Sequence, residues 1–245
     1  SFIFSFSPDR FPSLPLSGFS LQWYEAVWSD PDVHRAARRT LLIGSCVSIL
    51  ATVIGFGAAY TDYRYKFLGK SVYLTLGFMP PLVPILILGM AMLFFMSQVG
   101  LSGGLHSIVI SHTVLCIPFA MAVIRLRLSQ MDPSLEAAAW NLGASRWQTM
   151  AFVVLPFTLP AIFAALFVTA AVSFDEFAIA WFISGLEETL PVRVLNFVQG
   201  QASPRINAIG SFTFTVSIVL VALAQILLFS RAGSRTVGKA KSESR

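Results

Sequence analysis

Five stretches of this sequence, near 40–61, 72–97, 105–125, 157–183 and 208–230, are apolar enough to lie in lipid. Each is also long enough for a helix to cross a bilayer, which takes about 20 residues. This pattern constrains the chain more than anything else in it, and the composition agrees. Hydrophobic residues make up 56% of the 245 and charged residues 12%, with a mean hydropathy of +0.73. A soluble domain carries about 25% charged residues, so half of the charged surface that a soluble core requires is missing. An ordinary soluble enzyme, a disordered chain and a disulfide scaffold are excluded. The expected fold is an all-α membrane protein, a polytopic helical bundle.

Polar stretches at 62–71, 98–104, 126–156 and 184–207 separate the spans, and crossing parity sorts the charges to two sides. One side holds Arg64, Lys66, Lys70, Arg125, Arg127, Arg146, Arg231, Arg235, Lys239, Lys241 and Arg245. The other holds Arg10, Arg35, Arg38, Arg39, Arg193 and Arg205. Eleven basic residues against six place the first side, with the C-terminus, in the cytoplasm. Only Asp62, Asp132, Glu136 and Glu243 of the acids fall there, so the two sides net +7 and −2. The overall charge of +5 thus reads as topology anchors, not as a nucleic-acid footprint. Arg35, Arg38 and Arg39 run against the rule just before the first span, and an upstream helix dominating insertion would tolerate them.

The expected organisation is an outer lead-in over 1–39, a transmembrane domain over 40–230 with an inner loop at 126–156, and a polar tail over 231–245. Trp23, Tyr24 and Trp28 share one face in the lead-in, suited either to the membrane interface or to packing on the bundle. The opening Ser1-Phe2-Ile3-Phe4-Ser5-Phe6 lacks a signal-peptide pattern and reads as the remainder of a longer start. Cys46 and Cys116 lie in apolar runs and read as small buried hydrophobes.

Pro80, Pro81 and Pro84 fall within five residues of the second span, so that helix must kink or break. Pro118 is a weaker signal of the same kind in the third. Reaction chemistry is missing. Gly69-Lys70-Ser71 imitates the end of a phosphate loop, but Arg64 stands where its first glycine belongs. His106 and His112 are six residues apart on one helix and face different ways, and no serine sits in a Gly-x-Ser-x-Gly turn. No catalytic, metal or cofactor site is expected in this chain.

The inner loop is the most informative segment. Asp132 is a good helix cap with Pro133 behind it and Glu136 in the first turn. Ala137-Ala138-Ala139 favours helix and Gly143 should stop it, with a second short helix from Arg146-Trp147 leading to Leu155-Pro156. Such a capped helix suits the close approach of a partner, or is an ordinary loop helix.

Glu136-Ala137-Ala138-Ala139, Leu142-Gly143-Ala144-Ser145 and Val153-x-Leu155-Pro156 resemble the EAA loop of permease subunits of bacterial binding-protein-dependent ABC importers. Counted back from Gly143, the motif glutamate would fall on Ala137, so Glu136 stands one place early, about 100° around the helix. Gly18 to Tyr24, Leu126-Arg127-Leu128, Asp132-Pro133-Ser134, Ser173 to Phe177, Ser184-Gly185, Thr189-Leu190-Pro191 and Ile206-Asn207-Ala208 resemble the spermidine/putrescine branch. The resemblance implies a six-span permease fold with one span missing before the lead-in. It implies a second homologous permease, a periplasmic binding protein, and two cytoplasmic ATPase subunits that carry the ATP and Mg. The loop would dock in a groove of the ATPase.

Asp175-Glu176 carries the substrate argument. A carboxylate in a span costs roughly 2.5–3.5 kcal/mol at its centre, so it faces a cavity or a partner. Two adjacent acids make a negative site for a cationic solute such as a polyamine, to which Phe174, Phe177 and Trp181 can add cation–π contacts. The alternative is structural pairing with Arg193 or Arg205. A permease for an anion such as sulfate or phosphonate, and a channel or secondary transporter without an ATPase, stay open beside the importer reading.

Overall fold

The computed structural model describes residues 2–9, 17–200 and 205–229, without the side chains of 200, 228 and 229. Arg10 and the 231–245 tail, including its five basic residues, lie outside the described residues. In chain order the helices are α1 (Gln22–Trp28), α2 (Pro31–Arg64), α3 (Lys70–Phe78), α4 (Ile85–Gln98), α5 (Leu105–Leu128) and α6 (Ser134–Asn141). They continue with α7 (Arg146–Thr149), α8 (Leu155–Asp175), α9 (Ala178–Ile183), α10 (Leu190–Gly200) and α11 (Arg205–Phe229). Among the described residues four helical stretches are long and apolar enough to cross a membrane: Pro31–Arg64, Leu105–Leu128, Arg146–Asp175 and Arg205–Leu227.

The first span starts nine residues before its apolar run. Asp30 caps α2 by accepting from the Asp32 N–H at 2.9 Å, and Pro31 stands at the first helical position. Its 34 residues extend for roughly 50 Å, well past a hydrocarbon core of about 30 Å. The second span is two pieces. α3 gives way to a 3₁₀ turn at Pro80–Leu82, and α4 restarts at Ile85 with Leu88 N–H bonded to the Pro84 carbonyl. Pro118, by contrast, lies buried inside an unbroken α5. One lost hydrogen bond is tolerated where neighbouring helices enclose the backbone.

The fourth span breaks too, without a proline at the break. α8 ends at Asp175, Glu176 is extended (φ −75°, ψ 116°), and α9 follows. Before α8, a wide π turn spans Met150–Val154. It immediately precedes Leu155-Pro156, where the proline cannot donate to the carbonyl four residues back.

α2, α5 and α8 pack on one another at the centre, α11 lies against α8, and α4 lies against α9. Small residues set these distances. A Cβ on Gly55 of α2 would stand 2.7 Å from Ala120 Cβ and 2.9 Å from Met121 N, so the α2 and α5 backbones touch there. A Cβ on Gly89 of α4 would stand 2.8 Å from the Phe182 ring and 3.3 Å from Ile179 Cα. The broken halves of two spans are therefore packed against each other. Cys116 is buried but Cys46 is exposed on α2, so only one of the two cysteines is the buried hydrophobe expected.

In the lead-in, Trp23 donates to the Ser7 carbonyl at 2.7 Å, and the Tyr24 hydroxyl lies 2.8 Å from that of Ser5. Trp28 is exposed, lies across from the His34 ring at close to a right angle, and lines one hollow with Tyr24. Two of the three arginines that ran against the charge rule, Arg35 and Arg39, form ion pairs at one end of the bundle, and Arg38 is exposed. Arg35 pairs with Asp32, and Arg39 with Glu187 at 2.5 Å. Arg193 reaches Asp32 at 3.0 Å and Glu188 at 3.2 Å. Thr40 accepts from the Leu190 N–H at 2.8 Å and so fixes the start of α10.

Candidate functional site

Two regions hold the residues singled out in the sequence. The first is the loop of α6 and α7. Asp132 Oδ1 accepts from the Ser134 N–H at 2.9 Å, and the bonds from the Ser134 backbone and hydroxyl hold its carboxyl below the usual range. α6 ends where Gly143 turns left-handed (φ +85°), in open space for a side chain. Conformation, not crowding, is what selects glycine there. Gly143 N–H bonds the Trp140 carbonyl at 2.9 Å and Ala144 N–H the Ala139 carbonyl at 3.0 Å, the pair of bonds that closes a Schellman cap. Ser145 and Gln148 then form a reciprocal capping box that starts α7. Both helix ends are thus satisfied internally, which makes the loop a defined shape.

The motif residues divide by exposure. Ala137 and Ala138 are exposed, Ala139 and Ala144 are half-buried, and Ser145 is used in the cap. Leu142 is 89% exposed and Trp147 82%, with Leu135 and Trp140 exposed beside them. Leu155 and Pro156 stand apart from these, at the start of α8 beyond the π turn. Glu136 is only 5% exposed. It turns inward to Arg64 at the end of α2, 3.5 Å away.

The second region is a groove of about 650 Å³ between α8 and α11. Asp175, Glu176, Ala171 and Val172 line one wall. Phe214, Ser217, Ile218, Val221, Ala222 and Gln225 line the other, in the i, i+3, i+4, i+7 spacing of one helix face. The two acids differ in role. Asp175 is exposed to the groove, whereas Glu176 is buried and its Oε1 accepts from the Ile179 N–H at 2.8 Å, capping α9. Neither pairs with the arginines weighed above. Arg193 is held by Asp32 and Glu188, and Arg205 approaches Asp30 at 3.8 Å.

Phe174, Phe177 and Trp181 do not line the groove. Phe174 is buried, and the Trp181 ring packs on Phe182 with centroids 5.0 Å apart. Sequence reasoning missed the α11 wall, although Ser217 and Gln225, eight residues apart in an apolar span, were its signal. It also missed the buried bond between His112 Nδ1 and Ser173 Oγ (3.0 Å), which ties α5 to α8 two residues before Asp175. Among the described residues no three His, Cys, Asp or Glu side chains are placed to hold a metal.

The fold is a multi-pass helical bundle with two interrupted spans and a capped loop between spans, an arrangement that suits transport. The chain belongs to the family of binding-protein-dependent transport system inner membrane components, whose model matches residues 51–232. It is a multi-pass transport component and not an enzyme. The Haemophilus influenzae spermidine/putrescine transport system permease protein PotC is 31% identical over 91% of this chain and 87% of its own. The Escherichia coli sulfate transport system permease protein CysT is 30% identical over 92% of this chain and 89% of its own. In fold the chain is similar to a bacterial ABC transporter that imports the acidic polysaccharide alginate. That likeness has a TM-score of 0.69 at 17% identity and covers 89% of this chain and 86% of the other.

Proposed function

We propose that this chain forms part of the translocation path of an ATP-driven importer for a polyamine or similar organic cation. The observation that carries the reading is the groove between α8 and α11, where Asp175 is exposed beside Ser217 and Gln225. A carboxylate held there attracts an ammonium group and repels an anion. Phe177 and Trp181 are half exposed on the segment after it. They serve a cation only if this segment moves or a second permease completes the path. Binding-protein and ATPase partners follow from the family. The exposed Leu142 and Trp147 on the capped loop, with Ala137, Ala138, Gly143 and Ser145, suit docking to a cytoplasmic ATPase that carries ATP and Mg. In this arrangement 126–156 and the C-terminal tail face the cytoplasm, 1–39 faces outward and 40–230 is the permease domain.

The test is uptake of radiolabelled spermidine by the complete importer in proteoliposomes. Asp175→Asn with Glu176→Gln should lower uptake at least about tenfold, the effect of losing 1.4 kcal/mol of interaction. Uptake unchanged from the parent would sink the cation reading. Kinship with a sulfate permease keeps an anion as the second reading, and sulfate uptake by the same vesicles would decide for it.

A further inference from the structure

α2 runs without interruption from Pro31 to Arg64, and ion pairs fasten both its ends to segments distant in sequence. At one end are the Arg39–Glu187 and Asp32–Arg193 pairs. At the other, Arg64 Nε lies 3.5 Å from Glu136 Oε2, and its guanidinium lies 4.7 Å from the centre of the Trp140 ring. Arg64 therefore holds α6 twice, by charge through Glu136 and by its planar face through Trp140. The base of this anchor is rigid. Asp62, two residues earlier, is buried and bound by Lys70 at 3.0 Å and Arg125 at 2.5 Å, which ties the end of α2 to α3 and α5.

Glu136 is withdrawn from water while its neighbours Leu135 and Ala137 stay exposed. A carboxylate is buried in this way only with a partner. The one-place offset of Glu136 from the motif position turns it by about 100°, from the outward face of α6 to the face opposite Arg64.

We propose that the Arg64–Glu136 pair is the joint through which displacement of α6 reaches the transmembrane bundle, with α2 as the rod that carries it to the far side. Glu136 is then a positioning residue that grips its own chain, and the contact with the ATPase falls to the exposed side chains around it. The proposal rests on the reading of the α6–α7 loop as the ATPase docking surface.

The test uses the complete importer with its ATPase and binding protein, carrying Glu136→Gln, Arg64→Gln or Arg64→Lys. Two quantities are read: retention of the ATPase on purification, and stimulation of ATP turnover by spermidine-loaded binding protein. Both glutamine variants should retain the ATPase while stimulation falls at least about fivefold, the lower end of a coupling free energy. Arg64→Lys should keep most of it. Stimulation within about twofold of the parent in the glutamine variants overturns the proposal, since no coupling has been lost. So does a lysine variant as defective as Arg64→Gln, because the charge would then not carry the effect. Loss of the ATPase even with the isosteric Glu136→Gln also overturns it, because the pair would then serve assembly alone. The docking reading is tested separately by Leu142→Ala with Trp147→Ala. It fails if that double variant retains the ATPase in full, whatever the Arg64 and Glu136 variants do.

Discussion

The two interrupted spans break by different means. Between α3 and α4, three prolines remove backbone donors within five residues, and the chain has no way to continue the helix. Between α8 and α9 every residue is able to be helical. The chain leaves the helix at Glu176 because its buried carboxylate accepts from the Ile179 N–H and so starts α9 afresh. The first break is imposed by what the backbone lacks, the second by one side chain and its surroundings. A break of the first kind is shared among several residues, whereas the second depends on one.

The sharpest way to break the comparison is to separate the two halves where they meet. Gly89→Leu places a side chain against the Phe182 ring and the Ile179 backbone. It should destabilise the purified permease by about 3 kcal/mol, as overpacking of a close contact does, read as a fall in thermal midpoint. A midpoint equal to the parent's would mean that α4 and α9 do not hold each other. Next in size is the cap. Glu176→Ala should cost about 1–2 kcal/mol, while Glu176→Gln keeps an acceptor for the Ile179 N–H and should cost less than half of that. Equal losses in the two variants would show that charge, not capping, sets the break. The smallest effect belongs to the prolines taken singly. Pro80→Ala should change stability by no more than about 0.5 kcal/mol, since Pro81 and Pro84 still deny their donors. A loss as large as that of Glu176→Ala would erase the distinction between the breaks.

The same contrast explains what could be read without coordinates. The apolar runs, the proline break, the helix start at Asp132 and the stop at Gly143 are written in backbone chemistry, which acts locally and is visible in the residue itself. The start of α2 at Pro31 was not, because the nine residues before its apolar run, five of them polar or charged, continue that helix only once Asp32, Arg39 and Thr40 find partners more than 140 residues away. Glu136 belongs to the same class. Its offset from the motif was visible, but the face it turns to is defined by Arg64 on another helix. The groove was half legible. The Asp175-Glu176 pair announced itself as charge in an apolar span, whereas of the aromatics assigned to it Phe174 is buried and Trp181 packs on Phe182, and its far wall on α11 is made of residues that look ordinary one at a time.

The contact at Gly55 bears on how closely α2 and α5 can lie. At that point the Ala120 methyl group sits against bare backbone of α2. Ala51 and Ala59, four residues to either side on the same face of α2, are fully buried as well. Ala51 shares a cluster with Cys116 of α5, and Ala59 one with Ala120 and Ile124. Small residues therefore line α2 over two turns of this seam, with Gly55 its tightest point, and a larger side chain there would hold the two helices apart.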